Sequence, residues 1–171
     1  MKLLITGATG LVGNSLIEKY TQQGIQIHYL PSRKSQLKSI DGAQGYYWNP
    51  NKNEIDLACF LGVDSIIHLA GATVSKRWTK AYKEKIYSSR VLSTQLLLKG
   101  LQSCKGNHQV KQLVSASAIG IYPSDFEKVM NEEVAVEPTT FMQKVVYDLE
   151  REVDAFKAEG VPVTKIRIGL V

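Results

Sequence analysis

The stretch KLLITGATGLVG, residues 2–13, decides how the rest of the sequence is interpreted. It begins with a short apolar run typical of a buried strand, and a helical pattern starts at Leu11. Gly7, Gly10 and Gly13 lie at the junction of these two elements. Because glycine has no Cβ, this spacing indicates either a tight turn or a backbone surface that something approaches closely.

The three glycines have distinct roles if the loop binds a dinucleotide through its phosphates. Gly7 allows the tight turn, Gly10 lets the main chain approach a pyrophosphate, and Gly13 lets the helix pack closely on the sheet. Unpaired N–H groups at the start of the helix then face the phosphate charge. A purely structural turn is the alternative, but the strand–glycine–helix order favours dinucleotide binding. The cofactor contacts predicted from this loop are Gly7, Thr9, Gly10, Leu11, Val12 and Gly13.

The composition limits the classes of function that need to be considered. The 171 residues are 44% hydrophobic and 22% charged, which is typical of one globular domain. The net charge is +5, but the cations are scattered, so a solvated surface is favoured over a nucleic-acid groove. Cys59 and Cys104 lack metal-ligand spacing and suit a reducing compartment. No signal peptide or membrane span is recognised, so a cytoplasmic protein without a metal site is expected.

Strand and helix patterns alternate along the chain. This order predicts an α/β fold, a doubly wound parallel sheet of about six strands with helices on both faces. The predicted strands are residues 2–6, 25–30, 45–50, 64–71, 110–117 and 161–171, and the predicted helices are residues 11–24, 79–103 and 140–159.

Apolar residues at helical spacing are expected to face the core. His68 interrupts an apolar strand, where a packed core histidine is favoured over a catalytic one. The helical residues expected in the core are Val12, Leu16, Ile17 and Tyr20 in the first helix, Ile86, Leu92, Leu96 and Leu97 in the second, and Phe141, Val145, Leu149, Val153 and Phe156 in the third.

The end of the second strand, HYLPSRK at residues 28–34, bears on the choice of cofactor. It lacks the acidic residue that binds a free ribose 2′-hydroxyl. Ser32 and Arg33 occupy this region instead, and a hydroxyl beside a guanidinium suits a 2′-phosphate. The sequence therefore favours NADP over NAD, and the alternative is that Arg33 is ordinary surface charge.

Two other strand ends carry candidate cofactor contacts. Leu69, Ala70 and Gly71 close the fourth strand with mostly small residues, against which a ring or ribose can lie, although close packing is an alternative explanation. Ser115, at the end of the fifth strand, is expected to bond to the cofactor or to the backbone. Trp48 is assigned to the core in preference to an adenine contact.

Six stretches of the sequence together carry a family resemblance. They are LLITGATGLVG, YYWNP, DSIIHLAGA, KRWTKAYKEKIYSSRVLSTQLL, LVSASAIGIY and FMQKVVYDLEREV, in this order along nearly the whole chain. The sequence thereby resembles the extended short-chain dehydrogenase/reductase superfamily, and within it the epimerase family of nucleoside-diphosphate-sugar epimerase-like proteins. The resemblance implies that residues 1–171 form one NAD(P)-binding Rossmann domain. It also implies a carboxyl-terminal substrate-binding part, which we expect to be missing because the chain stops at Val171.

The catalytic pattern of that superfamily is incomplete in this chain. Its reaction centre needs a Ser or Thr, a Tyr, and a Lys four residues after the Tyr. No tyrosine here has a lysine at that spacing, and alignment through Glu150 puts Met142 and Val146 at the Tyr and Lys positions. Ser117 resembles the catalytic serine, and Tyr122 is an alternative acid. The resemblance implies an NADP-binding epimerase- or oxidoreductase-like protein, and the alternative is a non-catalytic NADP-binding or regulatory module.

The expected partners are a small-molecule substrate of unknown identity and a second copy of the chain. An open, apolar last strand favours a homodimer or aggregation, because an unpaired strand edge invites pairing with another chain. Arg77 and Trp78 are candidates for the substrate side of the crevice, with a solvated Arg77 as the alternative. No role is assigned to Arg90.

Overall fold

A six-stranded parallel sheet forms the centre of the computed structural model, which describes residues 1–125 and 127–169. The spatial order of its strands runs outward in both directions from the first strand, which is the order of a doubly wound Rossmann-like fold. The predicted fold class is therefore confirmed. The strands, in spatial order, are β3 (Ala43–Gly45), β2 (Gln26–Leu30), β1 (Lys2–Thr6), β6 (Ser65–His68), β7 (Gln112–Ala118) and β8 (Val163–Ile168).

Helices cover both faces of the sheet. On one face, Leu4, Ile66 and Leu113 of the sheet share a core with two of the helices, and on the other face Leu3 and Ile5 pack against a third. Within the described ranges, no helix is both long and apolar enough to cross a membrane. Helix α1 (Leu11–Gln22) packs on the face that carries Leu3 and Ile5. Helices α3 (Val91–Ser103) and α4 (Phe141–Asp154) pack on the face that carries Leu4, Ile66 and Leu113. The remaining helices named here are α2 (Lys80–Ser88), which precedes α3, and a 3-10 helix at Ala155–Glu159, which follows α4.

The helix predicted over residues 79–103 is in fact two helices, α2 and α3. The chain breaks at Ser89, whose hydroxyl donates to Ile86 O at 3.1 Å and accepts from Ala72 N–H at 2.8 Å. These bonds tie the end of α2 to the loop after β6, and propensity gives no signal of such long-range contacts. Leu92 follows the break and is 37% exposed, so its predicted place in the core is wrong.

The third predicted strand, residues 45–50, is also placed differently. The parallel strand β3 ends at Gly45, and the residues after it form a two-stranded antiparallel ribbon, β4 (Trp48–Asn49) with β5 (Glu54–Ile55). The chain turns because the Asn49 side chain accepts hydrogen bonds from the N–H groups of Asn51 and Lys52. The aromatic residues predicted to belong to the third strand therefore lie after it, and Trp48 is part of the antiparallel ribbon.

Two other predictions concern single residues. Val12 is 38% exposed, so its predicted place in the core is wrong; Gly13 and Ile17 are the buried residues of α1. Val12 lies in the first turn of α1, directly after the glycine loop. The predicted sixth strand extends to Leu170 and Val171, which lie outside the described residues.

His68 is buried in a fully connected polar network between β1, β6 and α3. Its Nε2 lies 3.0 Å from the Thr94 hydroxyl, which itself donates to Arg90 O at 2.7 Å, so Nε2 carries the proton. Its Nδ1 accepts from the Thr6 hydroxyl at 2.8 Å, and that oxygen accepts from the N–H groups of the two residues after His68. Burial lowers the pKa of His68 to about 4. The histidine is therefore a neutral core group, as the sequence favoured.

Acidification is expected to weaken the fold through His68. The folded protein keeps this imidazole neutral down to about pH 4, whereas the unfolded chain binds a proton at the ordinary pKa of 6.5. The free energy of unfolding should fall by up to about 1.4 kcal/mol per pH unit as the pH drops below that ordinary value. Urea denaturation at a series of pH values down to about pH 5 measures the slope before most carboxylates titrate.

The variant His68→Gln is the control, because it removes the titrating group and keeps a side chain that can hydrogen-bond. Burial also lowers the pKa of His28, so part of the slope should remain in the variant. A slope that His68→Gln leaves unchanged would contradict the assignment of a neutral, buried His68.

Candidate functional site

A cavity of about 260 Å³ opens where β1, β2 and β6 end. In a doubly wound sheet the crevice at the carboxyl ends of the strands is the usual ligand site. The walls come from three strand ends, from the turn after β4 and from the junction between α2 and α3. Among the described residues that line it are Gly7, Thr9, Ser32, Trp48, Asn51, Ala70, Gly71, Lys85 and Ser89.

The glycine loop after β1 has no room for side chains at two of its positions. Gly7 has φ +68°, and a Cβ on it would lie 2.6 Å from Leu69 O. A Cβ on Gly13 would collide with Gly7 O. Gly10 has only Gly7 O near its missing Cβ, at 3.2 Å, and precedes α1 with no side-chain cap. The loop therefore presents bare main chain at the start of a helix, the geometry that favours an anion.

The structure brings some of the predicted cofactor residues together and separates others. Gly7, Thr9, Ser32, Ala70 and Gly71 line the first cavity. Leu69 lines a second cavity. Gly10 ends the glycine loop, and Leu11, Val12 and Gly13 form the first turn of α1; none of the four lines the first cavity. Ser115 is buried, with its hydroxyl donating to Ala116 O at 3.2 Å, and lines neither cavity.

The residues after β2 differ in their relation to the cavity. Ser32 lines it, whereas Arg33 is exposed and is not among its lining residues. Lys34 lies over the Tyr47 ring, with its Nζ 5.2 Å from the ring centroid. None of the described residues that line the cavity is acidic, and Lys85 is the charged one among them.

Several residues of the first cavity were missed by sequence reasoning. Trp48 is 4% exposed and belongs to the main core, as favoured, yet it also lines the cavity. Pro50 and Asn51 come from the turn after β4, and Lys85 and Ser89 from the α2–α3 junction. The ribbon and the helix break bring these residues to the site, and neither is visible as a pattern in the sequence.

A second cavity of about 250 Å³ adjoins the first and shares Ala70 and Gly71 with it. It lies at the ends of β6, β7 and β8. Met142 and Val146, the residues at the superfamily's Tyr and Lys positions, both line it from α4. Its other described lining residues are mainly apolar, with Arg90 and Ser117 as the exceptions that carry polar side chains.

Ser117 and Tyr122 belong to one partly buried hydrogen-bond network. The Ser117 hydroxyl donates to Glu150 Oε1 at 2.6 Å. Arg167 donates to both oxygens of Glu150, at 2.9 and 3.0 Å, and to the Tyr122 hydroxyl at 2.6 Å. Burial alone would raise the pKa of Glu150, but the hydrogen bonds from Arg167 and Ser117 outweigh it and the pKa is lowered. The network therefore contains a carboxylate paired with a guanidinium, and the Ser117 proton is directed at that carboxylate.

Arg90 is a further functional candidate that the sequence left without a role. Its guanidinium lies over Gly71, where a Cβ would be 3.0 Å from the Arg90 Cζ. Nη1 donates to Ala72 O at 3.0 Å and to Ile86 O at 3.3 Å. No ion pair joins Arg90 to a carboxylate among the residues that the structure describes, and burial lowers its pKa. Arg90 therefore places a positive charge in the wall of the second cavity, beside the backbone shared with the first.

Metal binding has no obvious site in the described part of the chain. No group of three or more His, Cys, Asp or Glu residues there is arranged to hold an ion. The polar groups at the two cavities are main-chain N–H groups, hydroxyls, the amides of Gln36 and Asn51, Lys85 and Arg90.

Comparisons with known proteins point to one family. A model of the NAD dependent epimerase/dehydratase family matches residues 3–168. The sequence is 36% identical over 170 residues to an epimerase family protein of Staphylococcus saprophyticus, and 34% identical over 168 residues to one of Staphylococcus aureus. Both matches cover 98% of this chain and 54% of the relative, so the chain spans about half the length of the curated relatives it matches.

Solved structures share the same fold. The nucleoside-diphosphate sugar epimerase from Corynebacterium glutamicum is 27% identical with a TM-score of 0.76, covering 98% of this chain and 33% of that one. MoeE5 in complex with UDP-glucose and NAD is 23% identical with a TM-score of 0.77, and the match covers 98% of this chain and 54% of MoeE5. The UDP-glucuronic acid 4-epimerase from Bacillus cereus in complex with NAD is 19% identical with a TM-score of 0.75, and the match covers 99% of this chain and 56% of that enzyme.

Proposed function

This chain belongs to the NAD dependent epimerase/dehydratase family, and we propose that it binds NADP as part of an epimerase- or oxidoreductase-like protein. The observation that carries the proposal is the glycine loop, which excludes a Cβ at Gly7 and Gly13 and leaves Gly10 bare at the start of α1. Such a loop fits a diphosphate, because main-chain N–H groups and the helix dipole both favour negative charge there.

Residues of both cavities would bind the dinucleotide, each cavity a different part of it. In the first cavity, Thr9 and the main chain of the glycine loop would bind the diphosphate, and Trp48 would flank the adenine end. Gly71 gives the nicotinamide end a flat surface toward the second cavity. A bound nicotinamide exchanges a hydride with a substrate. The contribution of this chain is to orient the ring beside Met142 and Val146, whose apolar side chains exclude water from that wall.

The preference for NADP over NAD is a finer part of the proposal. MoeE5 and the Bacillus cereus epimerase have NAD bound in their structures. In this chain Ser32 lines the first cavity beside Arg33, and no acidic residue is among its described lining residues. A hydroxyl and a guanidinium at the end of β2 bind a 2′-phosphate, whereas an acid there would repel it.

The proton donor of any hydride transfer is proposed from two hydroxyl groups. The Ser117 hydroxyl donates its hydrogen bond to Glu150, so it is better placed to accept a hydrogen bond from a ligand than to donate one. Tyr122 accepts from Arg167, which leaves the phenol hydrogen free for another acceptor. Tyr122 lines a separate cavity with Thr140 and Gln143, whereas Ser117 lines the second cavity. Position therefore favours Ser117, and the free hydrogen favours Tyr122.

A second candidate function is NADP binding without turnover, in a regulatory or scaffold role. The observation that favours it is the second cavity, where Met142 and Val146 occupy the positions of the superfamily's Tyr and Lys. Neither side chain can move a proton. The substrate and the reaction of a longer protein remain part of the proposal, since the matched relatives are nearly twice as long as the aligned region.

The remaining expectations about partners and location are also proposals. The free thiols of Cys59 and Cys104 support a reducing compartment, for which the cytoplasm is proposed. Within the described sheet β8 is an edge strand on which Ile166 is 49% exposed, which supports a homodimer through that edge. The scattered charge supports a small molecule rather than a nucleic acid as the ligand.

Gly10→Leu is expected to abolish dinucleotide binding without unfolding the chain. The backbone at Gly10, with φ −80° and ψ 172°, suits any residue, but a leucine would fill the space that the diphosphate needs. Affinity for NADPH should fall at least about tenfold, equivalent to about 1.4 kcal/mol. Calorimetric titration measures the affinity, and the thermal midpoint without nucleotide checks the fold.

The matched control for Gly10→Leu is Gly120→Leu, because nothing lies within 4 Å of the position where its Cβ would be. This variant should bind NADPH as the unmodified chain does. If Gly10→Leu keeps the full affinity, or if the unmodified chain binds no pyridine nucleotide, the proposed function is wrong.

Arg33→Ala is expected to weaken NADPH binding about tenfold and to leave NADH binding unchanged. A charge-assisted hydrogen bond to the 2′-phosphate is the interaction removed, and NADH lacks that group. Lys38→Ala, an exposed cation nearby, is the control for a general loss of positive charge. Equal affinities of the unmodified chain for the two nucleotides would reject the NADP preference.

Turnover separates the two candidate functions. Because the second cavity offers no free proton donor at the usual positions, this chain should bind NADPH yet oxidise it no faster than buffer does with a panel of aldehydes and ketones. The absorbance of the reduced nicotinamide measures the rate. Oxidation above background that disappears in Tyr122→Phe would contradict the non-catalytic role and assign the proton transfer to Tyr122.

A further inference from the structure

We propose that Lys85 is the cation that pairs with the phosphate charge of the dinucleotide, a role that rests on the proposed function. Lys85 is the single charged residue among those described as lining the first cavity. A pyridine dinucleotide brings a negatively charged diphosphate, and NADP adds a 2′-phosphate. Lys85 is itself exposed, so its ammonium group would attract these phosphates in partly solvated surroundings, where salt weakens the attraction.

The last turn of α2 holds Lys85 in a fixed place beside the cavity. Its neighbour Ile86 is fully buried and anchors that turn in the core. Ser89 N–H donates to Lys85 O at 3.0 Å, and the Ser88 hydroxyl donates to the same carbonyl at 3.3 Å. The Ser89 hydroxyl in turn accepts from Ala72 N–H at 2.8 Å, which ties the helix end to the loop after β6. The backbone of Lys85 is therefore fixed relative to Gly71.

The charges around Lys85 leave its ammonium group available to a ligand. No ion pair involves it among the residues that the structure describes. Lys80, Lys83 and Glu84 of the same helix line a separate groove with Phe141. Arg33, the cation expected from the sequence, is exposed outside the lining of the cavity. Lys85 is thus the cation of α2 that faces the cofactor cavity.

A structural role at the end of α2 is the competing explanation. A lysine in the last turn of a helix interacts favourably with the helix dipole, and this effect needs no ligand. The two roles predict different results. A dipole role changes the stability of the chain without nucleotide, whereas a phosphate contact changes the affinity for nucleotide and its dependence on salt.

The experiment compares Lys85→Ala and Lys85→Arg with Lys83→Ala in the full chain. Calorimetric titrations with NADPH and with NADH, each at low and high salt, measure the affinities. Lys85→Ala should bind about tenfold more weakly and with less dependence on salt, and Lys85→Arg should recover most of the affinity. Lys83→Ala makes the same change of charge on the same helix and should bind normally.

Comparing the affinity loss of Lys85→Ala for NADPH with its loss for NADH identifies the phosphate that Lys85 contacts. An equal loss for NADPH and NADH assigns the diphosphate, and a loss for NADPH alone assigns the 2′-phosphate. Equal affinities of Lys85→Ala and Lys83→Ala for both nucleotides would overturn the inference and leave the proposed function intact. If the unmodified chain binds neither nucleotide, the proposed function itself fails.

Discussion

The close approach of three main-chain segments at the glycine loop is the constraint on which the site depends. The turn after β1 touches the loop after β6 at Gly7 and touches α1 at Gly13, and neither contact leaves room for a Cβ. The Thr6 hydroxyl reinforces the same point by accepting from the N–H groups of Leu69 and Ala70 while it donates to His68. Backbone packing and a buried polar network thus fix the position of the cavity floor together.

The parts of the fold that the sequence predicted are those governed by local signals. Short apolar runs and glycine boundaries located β1, β2, β6, β7 and β8, and the glycine triplet located the crevice. The parts that it did not predict depend on particular side-chain hydrogen bonds. Ser89 ends α2 with its hydroxyl accepting from Ala72 N–H, a long-range partner that spacing along the sequence does not identify. Asn49 turns the chain after β4 through local bonds to the N–H groups of Asn51 and Lys52.

The same distinction applies to the site. Gly7, Thr9, Ser32, Ala70 and Gly71 were predictable because strand ends in a parallel sheet meet at one edge. The Glu150–Arg167 pair joins α4 to β8, and the sequence pattern of neither segment identifies the other as its partner. Glu150 accepts a hydrogen bond from the Ser117 hydroxyl, and Arg167 donates to Tyr122, so the pair positions both candidate hydroxyls. Arg167 lies outside the six stretches that carry the family resemblance.

The wall between the two cavities is a single stretch of main chain, Ala70 and Gly71, with the Arg90 guanidinium lying over the glycine. Both cavities are therefore lined by the same two residues. Occupancy of either cavity that moves Gly71 changes the affinity of the other for its own ligand, and linkage requires the effect to be equal in both directions. Ligands in the two cavities thus act on the same main-chain segment, and their coupling is reciprocal.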